Sequence, residues 1–245
     1  MSTLYRLVDL NELDARNIDL RNRVKIAKRK PRRMKCEMLS KLKIGHLYKD
    51  YLDYRQNNDF MLAEMDCVEG SRESKCVLLT LHFPLLHFQL AFIMPEHTSE
   101  CVVNTLDMLE TILGTELFRS VFQVILTDNG HEFMDVERME KSALEDGNRT
   151  KVFFCEPNRS DQKGACENNH KYIRYVIPKG TNFDNLNQFQ INNMMNHVNS
   201  YRRKSLCGKS PYEIAKTMLP EDFFVLLGIE QIQDKDIVLD PSLLK

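Results

Sequence analysis

Tryptophan is missing from this 245-residue chain, an absence that excludes no fold class. Other absences exclude more. No run approaches the roughly 18–20 apolar residues that span a bilayer, and the opening Met1-Ser2-Thr3-Leu4-Tyr5 lacks the form of a signal peptide. The seven cysteines (36, 67, 76, 101, 155, 166 and 207) are odd in number and never spaced as CxxC. That pattern argues against a zinc site or a disulfide framework and for a reducing cytosol. No internal repeat or low-complexity tract is visible. Hydrophobic and charged contents of 42% and 28% are those of an ordinary soluble protein. The length allows one substantial core and a smaller appendage.

Charge is also lacking in total, at −1, but not along the chain. Twelve lysines and arginines and a single acid, Glu37, fall between Arg21 and Lys49; the remainder carries 22 basic and 34 acidic residues. Such asymmetry suits a basic arm that meets a polyanion, with Arg29, Lys30, Arg32 and Arg33 at its densest point, joined to a body rich in carboxylates. A solvated linker is the plainer reading. The two are compatible, because a linker that neutralises phosphates gains affinity by counterion release.

The chain divides into a basic N-terminal extension (1–58), a body (59–180) and a helical C-terminal segment with a tail (181–245). Leu4–Leu20 is expected to be helical. In the basic region, Lys30-Pro31-Arg32 interrupts any single regular helix. Within the body, Phe60–Val68, Cys76–Phe83 and Leu86–Met94 are apolar, β-leaning runs. Gly70-Ser71 and Phe83-Pro84 punctuate them, which favours an antiparallel meander. A helix begins near Thr98, with Val102, Leu106, Leu109 and Leu113 on one face. Val121–Thr127 follows as a strand, then a mostly helical stretch, the strand Lys151–Cys155 and a helix from about Gly164. Three antiparallel strands followed by alternating helices and strands give an α/β fold. Ser210 with Pro211 marks the start of a later helix.

Three acids fall where this order brings them together. Asp66 lies in the first strand, facing opposite to Met61, Ala63, Met65 and Cys67. A carboxylate within an apolar strand is costly without a compensating cation. Asp128 ends the fourth strand at an Asn-Gly turn, the end where open α/β sheets build their sites. Glu167 opens the helix after the fifth strand. Clustered carboxylates repel one another unless a divalent ion supplies charge, and hard oxygen ligands suit Mg²⁺ or Mn²⁺, as two ions. Lys171 and Arg174, four and seven residues after Glu167, share its helix face and are candidates for holding DNA phosphates. Lys179 is a further candidate. An ordinary salt bridge on that helix, worth a few tenths of a kcal/mol, is the alternative.

These residues resemble the IS-thirty family of bacterial insertion-sequence transposases. The likeness is carried by Met65-Asp66-Cys67-Val68-Glu69-Gly70, by Thr127-Asp128-Asn129-Gly130-His131-Glu132-Phe133, and by Gly164-Ala165-Cys166-Glu167-Asn168-Asn169 running on to Tyr172-Ile173-Arg174. Ile177-Pro178-Lys179-Gly180-Thr181, Asn199–Leu206 and Lys209–Glu213 add to it. The resemblance implies an RNase H-like core of the retroviral-integrase type, with a mixed five-stranded sheet. It also implies a catalytic triad of Asp66, Asp128 and Glu167, divalent-metal chemistry, and DNA partners: element ends and target. Self-association on DNA and a nucleoid-associated, cytoplasmic location in a bacterium follow from it.

Three departures stand out. Ala63-Glu64-Met65 keeps only the Glu of the family's Trp-Glu-Gly. Ser160-Asp161-Gln162-Lys163-Gly164 replaces Pro-Trp-Gln-Arg-Gly, keeping the Gln and a cation. No helix-turn-helix region precedes Leu4, so this chain is expected to lack the family's recognition domain. Two rivals therefore stay open: a nuclease on the same core, and a remnant that binds DNA or full-length transposase without productive catalysis.

Overall fold

The computed structural model describes residues 43–244 except Asn158, and not the side chains of Ser160, Asp161 and Glu167. The expected Leu4–Leu20 helix and the residues Arg29, Lys30, Arg32 and Arg33 lie outside the described residues.

The described chain opens with helix α1 (Tyr48–Asn57) and continues into strands β1 (Leu62–Glu69), β2 (Val77–Phe83) and β3 (Phe88–Met94). Helices α2 (Ser99–Leu113) and α3 (Thr115–Val121) lead to β4 (Val124–Thr127). The short helix α4 (Val136–Glu140) precedes β5 (Lys151–Phe154), and α5 (Gly164–Val176) and α6 (Gln188–Ser200) follow. Two short helices, α7 (Pro211–Ala215) and α8 (Glu221–Leu226), come next. The sheet order is β3-β2-β1-β4-β5. The first three strands pair antiparallel, while β4 runs parallel to both β1 and β5. This is the mixed five-stranded sheet expected of an RNase H-like core.

Alternation along the strands sends side chains to two apolar layers. Ala63, Met65, Leu79, Leu81 and Ile125 meet Val102, Leu106 and Leu109 of α2 and Phe223 and Phe224 of α8. On the other face Val68, Leu78 and Ala91 meet Ile173 and Val176 of α5 and Ile191, Met194 and Val198 of α6. Farther along the sheet, Tyr51 of α1 packs with Val124, Leu126 and Phe153. All seven residues of β2 are buried, so no position on that strand alternates to solvent.

Caps set the helix ends. Thr98 Oγ1 accepts from Cys101 N to start α2, and Gly114, at φ +76°, ends it and opens α3. The strand expected from Val121 begins only at Val124, because Phe118 and Val121 already turn into the core as helix residues. Between Asp128 and Lys151 the expected long helical stretch is one 3-10 turn (His131–Phe133) and the five-residue α4. The rest is organised by Arg149, whose wholly buried guanidinium donates to the carbonyls of Met139 and Arg138. Ser210 caps α7 with Pro211 at its first position, as the sequence indicates.

Strand β3 borders the sheet, and α6 lies along it. The Gln188 amide accepts from Ile93 N at 2.9 Å and donates to Ala91 O at 3.0 Å. Eleven residues on, the Asn199 amide accepts from Gln89 N at 3.1 Å and donates to Gln89 O at 2.8 Å.

Candidate active site

The parallel pairing of β1 with β4 sets the site. Glu64 stands opposite Leu126, and continuing that register by two residues brings Asp66 beside Asp128. Thr127 Oγ1 donates to Met65 O across the same gap at 3.2 Å. The Asp128 carboxylate is fixed by its own turn, where Oδ1 accepts from Gly130 N at 2.8 Å. Asp66 Oδ1 accepts from Cys67 N at 3.0 Å.

A lysine enters between the two acids. Lys163 closes the 3-10 turn Ser160–Lys163 just before α5. Its Nζ lies 3.1 Å from Asp66 Oδ1 and 3.7 Å from Asp128 Oδ2. It also donates to Met65 O at 2.9 Å. Its side chain is 5% exposed, against 18% for Asp66 and 49% for Asp128. Burial opposes the ammonium, but the Asp66 and Asp128 carboxylates outweigh it and hold the Lys163 pKa above its ordinary value. The sequence marks Lys163 only as a retained cation; its insertion between the acids is a product of the fold.

Helix α5 is anchored beside this pair. Cys166 N donates to Glu64 Oε2 at 2.8 Å, so the buried Glu64 ties the first turn of α5 to β1. Glu167 is the next residue on that helix; its side chain lies outside the described set. His170, one turn on, has Nε2 3.0 Å from Thr80 Oγ1 and 3.3 Å from Cys166 Sγ, with Nδ1 3.8 Å from Asp66 Oδ2. Thr80 Oγ1 donates to Asp66 O, so Nε2–H serves as the donor to Thr80. Burial lowers the His170 pKa, against the pull of Asp66, and burial raises that of the Cys166 thiol. One thiol, that of Cys166, therefore borders a site that the sequence suggested had only oxygens.

The remaining predicted residues spread outward from the pair. Arg174 Nη2 donates to Glu69 O at 2.9 Å, at the end of β1. Lys171 is exposed, its Nζ 4.9 Å from the centre of the Tyr172 ring. Lys179 is exposed in the turn after α5. A second lysine, unmarked by sequence reasoning, sits behind Asp128. Lys43 Nζ donates to Asn129 Oδ1 at 2.5 Å and lies 3.7 Å from the centre of the Phe154 ring. Burial lowers its pKa to about 8, while Asp128 works to raise it.

Carboxylates paired across a sheet, with an ammonium held between them, fit a divalent cation. Asp66 and Asp128 offer hard oxygens to the gap, and Lys163 stands in for the positive charge.

No family model matches the chain. It is 32% identical over 104 residues, 42% of its length, to the transposase for insertion sequence element IS4351 of Bacteroides fragilis, covering 30% of that protein. It is 30% identical over 143 residues, 58% of its length, to a putative integrase, ORF3, of Spiroplasma virus SpV1-R8A2 B, covering 42% of that protein. The chain thus matches less than half the length of either relative. The cryo-EM structure of a simian T-cell lymphotropic virus intasome in complex with PP2A regulatory subunit B56 gamma contains a similarly folded chain. It superposes with a TM-score of 0.50 at 14% identity, over 66% of this chain and 55% of that one. The fold is RNase H-like, of the retroviral-integrase type. In sequence the chain is similar to transposases and integrases. Among the described residues no helix is long and apolar enough to cross a membrane.

Proposed function

We propose that this chain is a DNA transposase of the IS-thirty type. In this reading Asp66, Asp128 and Glu167 are its catalytic carboxylates and hold two Mg²⁺ or Mn²⁺ ions. The observation that carries the reading is the Lys163 ammonium lodged between Asp66 and Asp128, immediately before the helix that bears Glu167. Two carboxylates that need a cation in the absence of metal are suited to bind one in its presence. When bound, the ions activate an attacking oxygen and stabilise the leaving oxygen of an in-line displacement at phosphorus.

The chain's own residues position the DNA. Lys171, Arg174 and Lys179 line the approach along and beyond α5 and contact backbone phosphates, which orient a duplex without specifying its sequence. The basic extension, with Arg29, Lys30, Arg32 and Arg33, adds affinity for any duplex. Within the division 1–58, 59–180 and 181–245, the basic residues before Leu42 grip DNA, 59–180 carry the chemistry with α1 packed against them, and 181–245 brace it. Water first attacks phosphorus at an element end, and a DNA 3′-OH leaves. That hydroxyl then attacks a phosphate of target DNA and displaces the target strand's 3′-oxygen, which leaves as a 3′-OH, joining the strands with no covalent protein–DNA intermediate. Self-association on DNA brings two ends together, in a bacterial cytoplasm at the nucleoid.

The test is cleavage and joining of labelled element-end DNA with Mn²⁺. Cleavage and joining that both vanish in EDTA and in Asp128→Asn, with the circular-dichroism spectrum unchanged, are expected. Activity that persists in either case would falsify the two-metal reading. Cleavage without joining would leave the nuclease alternative, and DNA binding with neither would leave the non-catalytic remnant.

A further inference from the structure

On the opposite face of β1 from Asp66, three side chains from three elements converge. Cys67 comes from β1, His97 from the residue before the N-cap of α2, and Glu132 from the 3-10 turn after β4. One ligand atom from each, sulfur, nitrogen and oxygen, lies within 4.8 Å of the other two. Asp66 faces Lys163 and α5, so the catalytic pair does not account for this cluster.

Two features of the cluster stand out. His97 Nε2 is buried and lies 2.9 Å from Glu132 Oε1, off the line a hydrogen bond needs, and makes no hydrogen bond. Glu132 is 6% exposed, yet among the described residues no lysine or arginine comes within 4.0 Å of its carboxylate. Among the described residues its basic neighbours within 4.0 Å are imidazoles: His97, and the exposed His131, whose Nδ1 is 3.3 Å from Oε2. His97 Nδ1 in turn lies 3.5 Å from Glu69 Oε1, so carboxylates flank the ring on both sides. A buried carboxylate whose basic neighbours within 4.0 Å are imidazoles, beside a thiol and an imidazole nitrogen that makes no hydrogen bond, is a costly arrangement for protein atoms alone. It is a suitable one for a metal ion of intermediate softness.

We propose that Cys67, His97 and Glu132 form a Zn²⁺ site, with the fourth tetrahedral position open to solvent. Thiolate, imidazole and carboxylate together select zinc over the hard cations that the Asp66–Asp128 pair suits. Binding releases the Cys67 thiol proton to solvent as the sulfur–zinc bond forms. Cys67 is the neighbour of Asp66 in sequence, and Glu132 is four residues beyond Asp128. The ion therefore clips the two aspartate-bearing segments to each other and to the start of α2. This site stands independently of the transposition reading.

The experiment uses the full chain, freed of metal and titrated with Co²⁺ and then Zn²⁺. We expect one equivalent of Co²⁺ to give a thiolate-to-cobalt charge-transfer band and tetrahedral visible bands, both displaced by Zn²⁺. Cys67→Ser should abolish the charge-transfer band. His97→Gln and Glu132→Gln should weaken Zn²⁺ binding by at least the roughly 10- to 100-fold that loss of even an outer-sphere partner costs. Asp128→Asn and Cys166→Ser should leave the band intact, which separates this site from the catalytic pair and from the Asp66–Cys166–His170 group. In the unmutated chain, Zn²⁺ should slow alkylation of Cys67, followed by mass spectrometry, while the exposed Cys207 reacts as before. That last measurement needs no variant to fold. A missing charge-transfer band, a band lost in Cys166→Ser but kept in Cys67→Ser, or Cys67 alkylation indifferent to Zn²⁺ would each overturn the proposal.

Discussion

The Lys163 ammonium lies 3.1 Å from an Asp66 carboxylate oxygen, where it neutralises an acid that the fold otherwise leaves beside Asp128. A lysine so placed stabilises the metal-free protein and competes with whatever cation arrives. Lys163→Met should therefore bind Mn²⁺ more tightly, by about tenfold or ~1.4 kcal/mol. It should also lower metal-free stability by about 1–3 kcal/mol, because buried groups lose their partner. Calorimetric titration and urea unfolding measure the two effects. Weaker Mn²⁺ binding in the variant would mean that Lys163 supports the ion rather than competing with it.

Lys43 should titrate far below an ordinary lysine. Its pKa of about 8 reflects burial, and Asp128 partly offsets that loss. Asp128→Asn removes the offset, so the midpoint should fall further in the variant. Titration of the ¹³Cε shift in the metal-free protein checks this, and a midpoint near 10.5 would contradict it. The folded value lies below the unfolded one, so the penalty for burying the charged lysine is present at neutral pH. It fades as pH rises from about 8 towards 10.5.

The Arg149 pair should dominate stability away from the site. Its guanidinium reaches Glu110 Oε2 at 3.1 Å, both side chains wholly buried, and Asp107 Oδ1 at 2.5 Å. Arg149→Met should cost about 3–5 kcal/mol by leaving Glu110 uncompensated, and adding Glu110→Met should recover much of it. For Glu110, burial pushes the pKa up, but hydrogen bonds from Ser142, Ala143 and Arg149 hold it below 4.5. Its stabilisation is thus complete above the unfolded value and lost as pH falls through the folded one. Glu110→Gln should flatten the acid limb of the stability profile, read by thermal melts across pH.

The basic extension should act through phosphates. Ten lysines and arginines lie in Arg21–Lys41, and a deletion is best ended there because Lys43 and Tyr51 belong to the folded body. Deleting Arg21–Lys41 should weaken duplex binding and reduce the log–log salt slope by about 0.9 for each phosphate no longer neutralised. Equal slopes for the two proteins would reduce the segment to a solvated linker.

Much of this was legible in the chain itself. β1, β2 and β3 were visible as apolar runs broken by Gly70-Ser71 and Phe83-Pro84, and the α2 start near Thr98 followed from the apolar face of Val102, Leu106, Leu109 and Leu113. Asp66 and Asp128 stood out because one interrupts an apolar strand and the other ends one. Less visible were features made by residues distant in sequence. Lys163 meets Met65 across 98 residues, and nothing in Gln162-Lys163-Gly164 announces that reach. Helix α3 was hidden because Phe118 and Val121 read as equally good strand residues. Cys67, His97 and Glu132 are each some thirty residues apart, so no metal-binding spacing could register.

The amides of Gln188 and Asn199 have one more effect. By bonding to the backbone of Gln89, Ala91 and Ile93, they occupy ladder positions that a neighbouring molecule's strand would otherwise take. An uncapped border of this kind is a template for polymerisation. Here the β3 border is shut to sheet extension, so a second copy cannot lengthen the sheet along that side. A change as small as Asn199→Ala would reopen part of that border and expose the protein to aggregation while leaving its carboxylates untouched.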